Sequence, residues 1–215
     1  MIDPSPVAMI TKSLRTFTAM KHLPRAFYTR RTLTVAKDLL GKYIVRKSGS
    51  RNLIGMIVET EAYRNNDPAS HSFRGMTARN SVMFRTGGFL YVYFTYGMHY
   101  CANVVTYKEG YGEAVLIRAV QPLDGIGAMM RNRGISKGEQ NPNLKLTNGP
   151  AKFAEAFRLT TKDSGTDLTG PSIYLTQGIS VPTSKIVTST RIGIRVAMEN
   201  RWRFYLKDNP WVSKR

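Results

Sequence analysis

Apolar residues in this chain recur mostly at every second position, in short runs separated by Gly, Pro and polar clusters, and only a few segments carry helical spacing. The longest aromatic run, 89–105, reads FLYVYFTYGMHYCANVV. Aromatic and β-branched residues suit a pleated, half-buried surface, and the Tyr96-Gly97-Met98 break predicts the tip of a β-hairpin. Tyr96 is then an exposed ring on a stiff element, either a wedge for stacked bases or simply a surface tyrosine on a core hairpin. If the loop has three residues, Tyr91 faces Asn103, Tyr93 faces Cys101, and Asn103 shares the Tyr93 face; a two-residue turn sends Asn103 to the opposite face.

Upstream, 34–42 (TVAKDLLGK) places Val35, Leu39 and Leu40 at helical spacing and stops at Gly41. Strands are expected at 42–46 and 53–60, joined through Ser48-Gly49-Ser50. On the second strand Ile54, Met56 and Val58 share one face, which leaves Glu59 and Glu61 with Ile57 on the other. A long polar loop follows at 64–76. Beyond the hairpin, 113–120 is a nearly continuous apolar strand with one internal base, Arg118, and Pro122 is expected to end it. A short helix at 125–131, an exposed basic loop at 132–146, and a helix at 151–157 introduced by Asn148-Gly149-Pro150 come next. Further strands are expected at 172–176, 186–188 and 191–196, with a C-terminal segment that buries Phe204, Tyr205 and Trp211. Residues 1–24 read as a disordered or loosely attached basic tail, with the composition of a transit peptide or a foreign extension as the other readings. Residues 25–215 read as an α+β fold: one compact domain with a curved, mostly antiparallel sheet, a protruding β-hairpin and a few short helices.

Composition narrows the function. With 215 residues, 42% of them hydrophobic, the chain can bury a substantial core. Charges interrupt every apolar stretch well before about eighteen residues, so no membrane span is expected. Cys101 is the only cysteine, which excludes an internal disulfide and any multi-cysteine metal centre. It also points to a reducing compartment: a bacterial cytoplasm, or the nucleus of a eukaryote. Lys and Arg number 32 against 14 acids, a formal +18, and this is the footprint of a polyanion-binding protein. The bases are spread along the chain rather than gathered into one run, which favours nucleic acid over a membrane surface.

Scarce acids make Glu59 and Glu61 conspicuous. They suit a carboxylate that activates water, or they are solvated charges at a strand end. A metal site counts only three candidate ligands even with His71, and none is expected. Tyr63, His71 and Tyr93 can form a slot around a flat ligand such as an extruded base. A base inside an apolar strand, Arg118, requires an anion.

The segments RNLIGMIVETEAY, ARNSVMF, LYVYFTYGMHYCANVV, AVLIRAVQP, LTNGPAKF, RIGIRVA and RFYLKDNPWVS, in this order, resemble the alkyladenine (3-methyladenine) DNA glycosylase family. The resemblance implies a monofunctional glycosylase acting as a monomer on duplex DNA that contains damaged purines, with no cofactor. It implies Glu61 as general base and leaves Glu59 structural. Tyr63, His71, Tyr93 and Asn103 match residues that hold the flipped base, and Tyr96 the side chain that fills its gap. Arg118 matches an arginine beside the phosphate of the extruded nucleotide, and Met98, Arg79 and Lys152 fall on the DNA-binding side. A non-catalytic DNA- or RNA-binding protein with the same basic face and aromatic wedge is the alternative.

Overall fold

The computed structural model describes residues 21–49, 51–136 and 142–213, with only the backbone at Pro142. The anticipated tail falls mainly on residues outside that range. Two of its members are docked, however: Leu23 is buried and donates its N–H to the Leu175 carbonyl at 2.8 Å, and His22 stacks on Tyr174.

The centre of the fold is one long strand. After helices α1 (Arg25–Tyr28) and α2 (Thr32–Asp38) come β1 (Tyr43–Ser48) and β2 (Arg51–Tyr63). β2 is buried over ten consecutive positions, because it has neighbours on both edges and layers on both faces. Along one edge it pairs with β5 (Glu113–Asp124); along the other it pairs with β1 at its start and with β8 (Arg203–Leu206) over Glu59 to Glu61. The hairpin β3 (Leu90–Thr95) and β4 (His99–Thr106) extends the sheet from β5, and β6 (Ile173–Thr176) and β7 (Ile186–Ser189) complete a curled antiparallel sheet of eight strands. Short helices α3 (Ile126–Asn132), α4 (Pro142–Leu146) and α5 (Pro150–Ala156) pack near it, with Phe153 and Phe157 fully buried in the core. Among the described residues no helix is long and apolar enough to cross a membrane.

Three expectations are corrected. Pro122 does not end β5: the strand continues to Asp124, with Pro122 opposite Gly55 at a register shift, where a proline's missing N–H costs no ladder bond. The loop expected at 132–146 ends in α4, which is anchored by the fully buried Leu146; residues 137–141 lie outside the described range. Residues 191–196 form no strand. Their backbone turns at Gly193 (φ 79°), and the Ile192 N–H is given to a side chain instead of a ladder.

Candidate active site

The hairpin fixes one wall. Its register sets Tyr91 opposite Asn103 and Tyr93 opposite Cys101, so the three-residue loop holds and all four residues share a face. Tyr96 (φ 51°) and Gly97 (φ 67°) both adopt the left-handed region at the tip, free for glycine but sparsely populated for tyrosine. Tyr96 is 81% exposed and Met98 69%.

β2 and β5 supply the floor. Their pairing steps from Glu59↔Ala119 to Thr60↔Ile117 and skips Arg118, an irregularity of the kind that re-aims a side chain beside a functional site. Arg118 reaches Glu59 at 3.3 Å and Glu61 at 3.2 Å, and Arg203 meets Glu59 at 2.7 Å. Ser213 adds its N–H and hydroxyl to Glu59. Neither carboxylate side chain has any exposed surface, so both are paired interior charges and not the solvated strand-end charges that were one expectation. The anion that Arg118 requires is thus met inside the protein. Burial works against the Arg118 charge, but Glu61 and Glu59 outweigh it and hold the guanidinium above its ordinary pKa.

Between floor and hairpin lies a cavity of about 350 Å³ lined by Tyr63, His71, Tyr91, Tyr93, Asn103 and Arg118 among others. That is the lower end of the range for small-ligand sites, about 300–1,000 Å³. Tyr96 stands at its lip and Ile192 to Ile194 close one side. Glu61 sits directly behind the wall, held by three lining residues: the Tyr63 hydroxyl donates to Oε2 at 2.9 Å, the Ile192 N–H to Oε1 at 2.7 Å, and Arg118 approaches Oε1. Burial first, and then the neighbouring Glu61 carboxylate, raise the Tyr63 pKa, so its hydroxyl remains a donor at neutral pH. Tyr93 is raised likewise by burial and by Cys101, and Tyr91 is pushed up to about 12 by burial, against the pull of Arg79.

His71 meets Tyr93 edge-on with ring centroids 4.4 Å apart, and its Nδ1 lies 3.0 Å from the Tyr91 hydroxyl. Burial, then Arg79, lower its pKa, so the ring is neutral at pH 7. In the tautomer that accepts from Tyr91, its Nε2–H is free to donate. Asn103 is oriented by its amide, which donates to the Tyr91 carbonyl at 3.1 Å.

The remaining predicted residues lie around the rim. Arg79 donates to the Phe94 carbonyl and sits 5.9 Å from the Tyr93 ring centre. Met98 lines a separate cleft on the hairpin with His99 and Tyr100. Lys152 donates to Asn148 at 2.8 Å; burial, Arg133 and Lys145 hold its ammonium below its ordinary pKa. Among the described residues no group of three or more His, Cys, Asp or Glu is placed to hold a metal.

Residues 26–210 match the family described as methylpurine-DNA glycosylase. The chain belongs to the methylpurine-DNA glycosylase family. It is 53% identical over 194 residues, 90% of its length and 99% of the relative's, to a protein of Carboxydothermus hydrogenoformans assigned as a 3-methyladenine DNA glycosylase. Proteins with the same assignment from Prosthecochloris aestuarii and Francisella tularensis are 46% identical over 91% of the chain and 92% of the relative, and 47% identical over 86% and 95%. For a methylpurine-DNA glycosylase, the sequence missed several parts of this site. Tyr91 is given no site role by the sequence, although its two-residue spacing from Tyr93 puts it on the same face. The Asp67–Arg191 pair and the Ser213 cap join segments 124 and 154 residues apart, and no local pattern announces them.

Proposed function

We propose that this protein is a base-excision repair glycosylase that extrudes alkylated purines from duplex DNA and hydrolyses their N-glycosidic bond. Deaminated purines, equally flat, fall within the same reading. The observation that carries the reading is Glu61: a fully buried carboxylate directly behind an aromatic cavity, with three of its four acceptor sites taken by Ile192, Arg118 and Tyr63. The fourth site, on Oε2, accepts a proton from an attacking water. The water oxygen bonds to the anomeric carbon, the C–N bond breaks with its electron pair passing to the departing base, and the water proton goes to Glu61. A negative group at this point also stabilises the oxocarbenium character of the sugar.

Selection follows from the walls. An alkylated purine is cationic and is attracted to the faces of Tyr63 and Tyr93, while neutral His71 adds no repelling charge. Asn103, oriented by the Tyr91 carbonyl, crowds the purine 2-position and disfavours guanine. Tyr96 takes the space the base vacates. Lys152, crowded by Arg133 and Lys145, belongs to a cationic cluster that a DNA phosphate relieves. The buried thiol of Cys101 fits a reducing compartment.

Glu61→Gln tests the reading. The variant should bind a duplex carrying one alkylated adenine with wild-type affinity and release base about 10²- to 10⁴-fold more slowly, as read by abasic-site formation. Unchanged release would exclude Glu61 as the base, and a wild-type chain that binds the lesion but forms no abasic site would favour a protein that binds without cleaving.

A further inference from the structure

We propose that the buried Asp67–Arg191 ion pair is a positioning device that sets the Ile192 N–H on Glu61 and fixes the loop carrying His71. The inference rests on Glu61 acting as described above. Both side chains are wholly buried. The Arg191 fork spans both Asp67 oxygens and also donates to the carbonyls of Ala62, at 3.1 Å, and Ala197, at 3.4 Å. Its plane lies over the rings of Tyr63, at 4.7 Å, and Trp202, at 5.1 Å. Asp67 in turn accepts from the N–H of Ala69, a residue of the cavity wall.

Each contact leads in one step to the reacting site. Ala62 lies between Glu61 and Tyr63 on β2. Tyr63 is the ring whose hydroxyl holds Glu61. Ile192, next to Arg191, gives Glu61 its shortest hydrogen bond, 2.7 Å. The loop from Asp67 runs to His71, whose carbonyl accepts from Asn80. A buried ion pair is a weak stabiliser, because desolvation offsets most of its attraction and well-packed apolar residues serve as well. Orientation is what the fork adds: two loops distant in sequence are set at one angle, in a site where small misplacements are costly.

Glu61 is faced by Arg118 from β5, by Tyr63 on its own strand and by the Ile192 N–H. Glu59 and Arg203 stand beside it, and Tyr93 and Cys101 face it from the hairpin. Of these, the Ile192 N–H adjoins Arg191 in the chain and the Tyr63 ring lies under it. Weakening an N–H donor to a carboxylate disfavours the charged form.

The test uses the full chain with Arg191→Lys and Asp67→Asn, measuring single-turnover base release from a duplex with one alkylated adenine across pH. Release should slow about tenfold or more, lesion affinity should stay within about threefold, and the acid limb of the rate profile should move to higher pH. An unchanged rate, or a slower rate with an unmoved acid limb, would overturn the proposal. The double variant Asp67→Leu/Arg191→Met keeps the loops packed without the fork; it should fold and be slow, and wild-type release from it would equally overturn the proposal. Wild-type release by Glu61→Gln would instead remove the parent reading, so the two failures are distinguishable.

Discussion

The acid floor and the hairpin tip lie on opposite sides of one cavity and are built on opposite principles. At the floor, Glu59, Glu61, Arg118 and Arg203 are four buried charges that sum to zero, each within 3.3 Å of an oppositely charged partner. At the tip, Tyr96 and Met98 project from a left-handed turn, and the added Cβ of any residue at Gly97 meets nothing within 4 Å. The floor is complete before any ligand arrives, as electrostatic preorganisation requires. The tip is complete only against a partner. On the proposed reading, chemistry falls to a fully buried part of the fold and recognition to an exposed one.

That contrast breaks hardest at Glu59. Glu59→Ala would leave Arg118 and Arg203 buried with one carboxylate between them, and the loss of a partner from such a cluster costs about 3–5 kcal/mol. Urea unfolding should register a loss of that size, with base release slowed as Arg118 and Arg203 are both drawn onto Glu61; a loss below about 1 kcal/mol would mean that water already screens the cluster. Tyr96→Ala is the converse experiment. Stability should change by less than about 0.5 kcal/mol, while affinity for a lesion duplex should fall by about 1–3 kcal/mol, the range for an aromatic stacked on a base. Equal losses on damaged and undamaged duplexes would show that Tyr96 adds general affinity and is not a wedge.

The same division explains what could be read from the sequence. Local pattern placed β2, the hairpin and, as a nearly continuous apolar run, β5, while the hairpin register stayed open between two turn lengths until the pairing of Tyr91 with Asn103 decided it. Tyr63, His71, Tyr93, Asn103 and Arg118, to which the family resemblance gives their roles, line one cavity. The misreadings arose where a distant partner overrides a local preference. Pro122 looks like a stop until its register with Gly55 is known. Residues 191–196 look like a strand because Ile192 and Ile194 alternate with Gly193 and Arg195, yet the Ile192 N–H is claimed by a carboxylate 131 positions earlier. The anion that Arg118 requires comes from Glu59 and Glu61, a pair no local pattern ties to it.

The smallest effect should come from His71, which belongs to neither extreme. Its residue is exposed as a whole, but the ring edge packed against Tyr91 and Tyr93 is desolvated, and that burial, followed by the Arg79 charge, lowers its pKa from the ordinary 6.5. In the unfolded chain the ring takes up a proton below that value, whereas the folded chain resists until the pH is lower still. The stability that depends on a neutral His71 is therefore full above the ordinary value and is lost as the pH falls towards the folded one. Protonation also turns Nδ1 into a donor, so the Tyr91 hydroxyl can no longer donate to it. Between about pH 7.5 and about pH 5, wild-type stability in urea should fall more steeply than that of His71→Gln, which keeps a polar side chain but does not titrate. Parallel pH profiles would show that His71 protonates as freely in the folded protein as in the unfolded chain.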